Sequence, residues 1–147
     1  MVDILHRVGV KSSVAEVYTA LTTIEGLSGW WTTNTKGEPG AVDGVTTFTF
    51  GPGGFDMKVL ELDPGKRVLW EVVEGPEEWL TTHVIWDLEQ VDDWAIIHFK
   101  HEGWKDPVEF MSHCSTRWAV FLLSLKSLLE SGQGAPDPND TTISNWH

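Results

Sequence analysis

Four places in the sequence hold side chains able to carry chemistry. His98 and His101 stand three apart in the run Trp94–Glu102. On a strand such a spacing sends the two rings to opposite faces, which rules out joint chelation of a metal. His83 could approach His98 on an outer face, but no third ligand follows at a metal-site spacing. Neither a metal nor a cofactor is therefore expected. Strand parity turns His101 inward, where a ring nitrogen either hydrogen-bonds a ligand, serves as an acid or base, or is satisfied within the core. Glu61 shares parity with Phe55, Met57 and Val59, so it is either a desolvated carboxylate in an apolar wall or an exposed residue at a strand end. Cys114 follows His113 directly, and neighbouring helical residues diverge too far to pair as thiolate and base; an inert core thiol is expected. Gly51–Gly54 reads as a turn between strands, and no nucleophile elbow or phosphate loop appears.

These residues sit in a chain of 147, with 41% hydrophobic composition and a net charge of −12. The length suits one domain. Such an acidic surface repels nucleic acid and anionic lipid, so neither is expected as a partner. The single cysteine forms no internal disulfide, the N-terminal residues lack the pattern of a signal peptide, and no apolar run approaches the roughly 18 residues of a membrane span. A soluble, cytoplasmic protein is the expectation. Nine tryptophans are the outstanding feature of the composition. Each indole is a large flat surface with one N–H that needs a partner when buried.

The elements that would position these groups follow from periodicity and turn chemistry. Asp3–Val10 alternates weakly and reads as an edge strand. Ser13 and Glu16 have capping-box spacing, and two short helices broken near Thr23 run on to Trp31. Turn formers fill Thr32–Gly44, which is expected to be a mobile loop. Five strands follow, Val45–Gly51, Phe55–Leu62, Lys66–Glu74, Glu78–Glu89 and Trp94–Glu102, joined by short turns that imply an antiparallel meander. A helix of about 25 residues is capped by Asp106 and Pro107, stopped by Gly132, and striped by Met111, Cys114, Trp118, Phe121, Leu122, Leu125 and Leu129. The remaining residues, 133–147, form a polar tail expected to be ordered in part at best. About six strands and one long helix each need an apolar partner. The fold class is α+β, a helix-grip domain over 1–132 in which a curved antiparallel sheet wraps the C-terminal helix.

The phrases GWW near the end of the second helix, VLELDPGKRVLWE, HFKHEGW and RWAVFLLSLKSLLESG resemble the START-related SRPBCC superfamily, in particular the branch named after the activator of the heat-shock chaperone ATPase. The resemblance spans roughly residues 5–132. It implies the same helix-grip fold and a cavity between helix and sheet for lipids, polyketides, hormones or other apolar molecules, with some members acting as cyclases, hydrolases or cochaperones.

Side-chain alternation nominates the lining. Leu80, Thr82, Val84, Trp86 and Leu88 share one face, and Ala95, Ile97, Phe99 and His101 share the next. Val68, Trp70 and Val72 align, as do Phe48 with Phe50, and Phe55 with Met57 and Val59, while Trp118 and Phe121 meet them from the helix. Trp30 and Trp31 either gate the cavity mouth or plug the small helix. The residues expected at a ligand are thus Trp30, Trp31, Phe48, Met57, Val59, Trp70, Val72, Val84, Trp86, Ile97, Phe99, His101, Trp118 and Phe121. The expected function is binding of a small apolar molecule without catalysis, by a monomer or homodimer. The alternatives are a cochaperone-type interaction module, or an enzyme that uses His101 and Glu61.

Overall fold

The computed structural model describes residues 1–146. Along the chain run β1 (Val2–Val10), α1 (Val14–Thr22), α2 (Ile24–Trp30), β2 (Thr35–Gly37), β3 (Val45–Phe50), β4 (Gly53–Asp63), β5 (Arg67–Glu74), a single 3-10 turn (Glu77–Trp79), β6 (His83–Val91), β7 (Trp94–Trp104) and α3 (Glu109–Ser131). The seven strands form one antiparallel sheet in the order β1-β7-β6-β5-β4-β3-β2. Six consecutive strands, β2 to β7, are neighbours in sequence order, and β1 closes onto the last of them. With the long C-terminal helix this is the helix-grip α+β architecture.

Thr23 explains the break between the small helices. Its hydroxyl accepts from Gly26 N at 3.0 Å, capping α2, and donates to Thr19 O at 2.8 Å, finishing α1. Only half of the expected capping box forms at α1. Ser13 Oγ accepts from Glu16 N at 3.2 Å, but the Glu16 carboxylate turns to the Ser12 hydroxyl.

The loop expected to be mobile is tied down and supplies a seventh strand. Thr35 is buried and pairs with Phe48, Thr32 Oγ1 donates to Thr49 O at 2.8 Å, and Asp43 N donates to Val59 O at 2.8 Å. At α3 the Asp106 cap is also corrected: the helix begins at Glu109, with extended Val108 as its uncapped boundary. The C-terminal stop is as read, Gly132 taking the left-handed φ of 84° and donating to Leu128 O at 2.9 Å.

On α3, Cys114, Trp118, Phe121, Leu122 and Leu125 are buried, and Met111 and Leu129 half-buried, so the stripe seats the helix against the sheet. Beyond it, residues 133–140 form a strap rather than a loose tail. Ala135 N donates to Ser124 Oγ at 2.8 Å, Asp137 N to Trp31 O at 2.8 Å, and Thr33 N to Asp137 O at 3.1 Å. Gly134 is required there, because a Cβ would lie 2.3 Å from Gly29 O.

Candidate functional site

A cavity of about 590 Å³ opens between the N-terminal half of α3 and the β3–β4 hairpin. Phe110, Cys114, Trp118 and Phe121 line it from α3, four residues brought to one face by helical spacing. Phe50 and Phe55 close it from the hairpin, Pro76 and Trp79 from the 3-10 turn, Trp31 from the end of α2 and Asp137 from the strap. The rings touch in a continuous shell: Phe55 and Trp79 have centroids 4.6 Å apart, Trp31 and Trp118 5.0 Å, and Phe50 and Phe55 5.3 Å, while Trp79 and Trp118 lie nearly parallel at 6.0 Å. Arg117, His113 and Asp137 are the polar residues of the lining. Arg117 forms an ion pair with Asp140 of the strap and lies over the Phe121 ring at 4.6 Å.

Behind two of the walls runs a buried polar chain. Trp118 Nε1 donates to His101 Nδ1 at 3.1 Å, and His101 Nε2 lies 2.8 Å from Thr82 Oγ1. Thr82 Oγ1 donates to Trp79 O at 2.5 Å. An indole N–H can only donate, so Nδ1 must be the acceptor and the imidazole proton belongs on Nε2, directed at the threonine oxygen. The polar side-chain groups of Trp118, His101 and Thr82 are satisfied with the ring neutral. Burial accordingly lowers the His101 pKa to about 3. The ring lies wholly behind Trp79 and Trp118, away from the cavity.

Of the fourteen residues expected at a ligand, Trp31, Trp118 and Phe121 line the cavity. Trp30, Phe48, Met57, Val59, Trp70, Val72, Val84, Trp86, Ile97, Phe99 and His101 lie in the packed interior, none more than 2% exposed. Trp30 and Trp31 do not form a gate. Trp30 donates its N–H to Ala20 O at 3.0 Å, and Trp31 is wedged among Trp30, Phe48, Trp70 and Trp118.

Of the two placements open to Glu61, the structure shows the exposed one. An irregularity in the β4–β5 register between Val59 and Glu61 shifts the alternation by one, so Leu62 opposes Val68 and Glu61 meets Arg67 at the surface, Nε to Oε1 3.6 Å. Leu80 also leaves the inward face. The 3-10 turn precedes it, and the residue is 40% exposed.

His83 and His98 lie on the outer face beside Glu71 and Glu89, and among the described residues no group of three His, Cys, Asp or Glu side chains could hold a metal. No described helix is long and apolar enough to cross a membrane. Burial pushes the Cys114 thiol up to about 12, opposed by the Trp79 indole and Arg117 and reinforced by Glu78. Alternation missed Trp79, which follows a Gly-Pro turn, and the α3 stripe omitted Phe110, which stands four residues before Cys114. Arg117 and Asp137 carried no periodic signal, being a flanking helical residue and a residue of the strap.

Residues 11–130 match the family described as Activator of Hsp90 ATPase homolog 1-like protein. The solution structure of the Aha1 dimer from Colwellia psychrerythraea is similar to this chain with a TM-score of 0.85 and 45% identity, covering 91% of this chain and 100% of that one. CalU16 from Micromonospora echinospora has a TM-score of 0.77 at 17% identity, covering 97% and 74%. SSP2350 from Staphylococcus saprophyticus has 0.76 at 15% identity, covering 90% and 95%. The latter two likenesses concern the fold alone. No curated protein matches the sequence. The family match spans most of the chain and agrees with the helix-grip architecture, so the chain belongs to the Activator of Hsp90 ATPase homolog 1-like family, the branch of the SRPBCC superfamily that its motifs resemble.

Proposed function

We propose that the protein binds a small apolar molecule, without turning it over, in the cavity between α3 and the β3–β4 hairpin. The observation that carries this reading is the shell of touching aromatic rings around about 590 Å³, a volume in the range of small-molecule sites. Burial supplies the driving force. At about 25 cal/mol per Å², a ligand that hides on the order of 200 Å² of apolar surface gains about 5 kcal/mol. The groups considered for acid and base chemistry do not serve this cavity. His101 is spent in the chain behind it, Glu61 faces solvent, and the Cys114 thiol at its wall is held protonated. The charge of −12 argues against nucleic acid, and a lone buried thiol suits a reducing cytoplasm. The 45% identical Aha1, described as a dimer, supports assembly of two copies here, which light scattering coupled to size exclusion measures directly.

The test is native mass spectrometry of the purified chain, followed by titration with the neutral dye Nile red while tryptophan emission is recorded. Trp31, Trp79 and Trp118 line the cavity, so saturable binding at one site per chain should quench emission in step with dye fluorescence. Cys114→Phe extends a ring from the helix into the cavity and should weaken that binding at least about tenfold. Absence of saturable binding, or an affinity untouched in the folded Cys114→Phe protein, would refute the reading.

A further inference from the structure

The cavity is lined mainly by aromatic rings and flanked by acidic groups. Of the charged groups there, Arg117 is already engaged: its guanidinium is ion-paired with Asp140, whose side chain is only 8% exposed, and covers the Phe121 ring. Asp137 lines the cavity one turn of the strap earlier. Its backbone N–H and carbonyl are spent on Trp31 and Thr33, and among the described residues its carboxylate has no ion-pair partner within 4.0 Å. Among the described residues, Arg117 thus faces the two carboxylates Asp137 and Asp140, with the His113 ring also lining the cavity. Burial and the neighbouring Asp140 hold the Asp137 carboxyl above its usual range despite Arg117, as expected of an acid short of positive charge. Glu78 adds negative potential from the opposite wall, where it acts on Cys114, and the whole chain carries −12. The electron-rich rings of Trp31, Phe55, Trp79 and Trp118 line the same space.

We propose that the cavity takes an organic cation, an apolar body bearing one protonated amine that lies among the aromatic rings and sets its charge against Asp137; this rests on the reading of the cavity as a small-molecule site. An anionic ligand would instead have to displace Asp140 from Arg117 and then face Asp137. A neutral ligand would leave Asp137 uncompensated in a partly desolvated place.

Three probes of one shape separate these cases: 2-naphthylmethylamine, 2-naphthylmethanol and 2-naphthoate, positive, neutral and negative at pH 7. Calorimetric titration of the full chain in low salt should give the amine at least about a tenfold tighter Kd than the alcohol, and the carboxylate the weakest of the three. Raised salt should weaken the amine and leave the alcohol unchanged. In Asp137→Asn, which keeps both backbone hydrogen bonds of the strap, the amine should fall to the affinity of the alcohol. Equal binding of amine and alcohol by the unaltered chain overturns the inference and leaves the apolar site standing. Preference for the carboxylate overturns it in favour of Arg117 as the recognising group, and failure of all three to bind removes the site itself. The wild-type ratio decides the matter even if the variant folds poorly.

Discussion

Lowering the pH should destabilise this protein through one buried ring, and the size of the effect follows from the chain Trp118–His101–Thr82–Trp79. In the unfolded chain His101 titrates near its ordinary 6.5, whereas burial in the fold lowers it to about 3. Between those values the unfolded state binds the proton and the folded state does not, so stability rises with pH across this window. Above about 6.5 the group contributes no pH dependence. Below it stability is lost, at up to about 1.4 kcal/mol per pH unit, reaching about 2 kcal/mol at pH 5 and about 4 kcal/mol near pH 3. The geometry gives the reason. A second proton on Nδ1 would point at the Trp118 N–H, 3.1 Å away, turning an acceptor into a second donor in a dry interior. Urea unfolding followed by tryptophan emission at pH 7 and pH 5 measures the loss, and 2 kcal/mol corresponds to a midpoint shift of about 1 M. His101→Gln supplies the control. It should cost about 1–3 kcal/mol at pH 7 by leaving a buried partner unmatched, but its own loss between pH 7 and pH 5 should be about 2 kcal/mol smaller. The exposed carboxylates and the other histidines are common to both proteins and cancel in the difference. Equal losses in the two proteins would refute this account, as would a His101 ring that titrates near 6 in the NMR spectrum of the folded chain.

Cys114 should resist alkylation by iodoacetamide at pH 8 in the folded protein and react rapidly in urea, because the thiol is 4% exposed and its pKa is pushed to about 12; comparable rates in both states would contradict the burial. Gly26→Ala should destabilise by about 1–3 kcal/mol although alanine favours helices, since its Cβ would lie 2.5 Å from the Ala20 backbone. Thr23→Ala should cost about 1 kcal/mol by removing the cap on Gly26 N, read as a drop in urea midpoint with an unchanged slope.

The sequence made the sheet legible wherever alternation was uninterrupted. Ala95, Ile97, Phe99 and His101 are all buried, and His98 points out, because β7 keeps its pleat through this stretch. The failures share a cause. A register slip of one residue in β4 carries no compositional mark, so parity counted from Phe55 kept an inward Glu61 in play when the residue faces out. The segment before β6 deceived in another way: Thr82, Val84 and Trp86 do alternate, and extending the pattern backwards overran the turn in which Thr81 takes a positive φ of 66°. The strap was invisible for a third reason. It is docked by backbone groups of Asp137, Thr33 and Ala135, whereas polar composition speaks only about side chains. The cavity inherits these errors, since Trp79 and Asp137 belong to the turn and the strap. Sheet alternation identified the rings that fill the interior, and the lining lies where that regularity ends.

That division has a physical basis. Side chains from a regular sheet face and a helical stripe interdigitate closely, and Phe48, Trp70, Trp86 and Phe99 are buried against their neighbours here. Space persists at the end of the grip, where a hairpin and a 3-10 turn replace regular strand and the helix begins without a side-chain cap. An unfilled space among mobile side chains would tend to collapse, so the walls need a tether that is not itself apolar contact. The polar chain supplies one: Trp118 is fixed through its N–H, and Trp79 through its own carbonyl, to the same His101–Thr82 pair. The Trp118 indole is thereby held directly and the Trp79 backbone with it, the two nearly parallel rings lying 6.0 Å apart between centroids. Preorganisation of this kind lowers the ordering cost of binding. It follows that His101→Gln should weaken binding of a neutral apolar probe even though the ring never touches it, and should do so equally for charged and uncharged probes of the same shape.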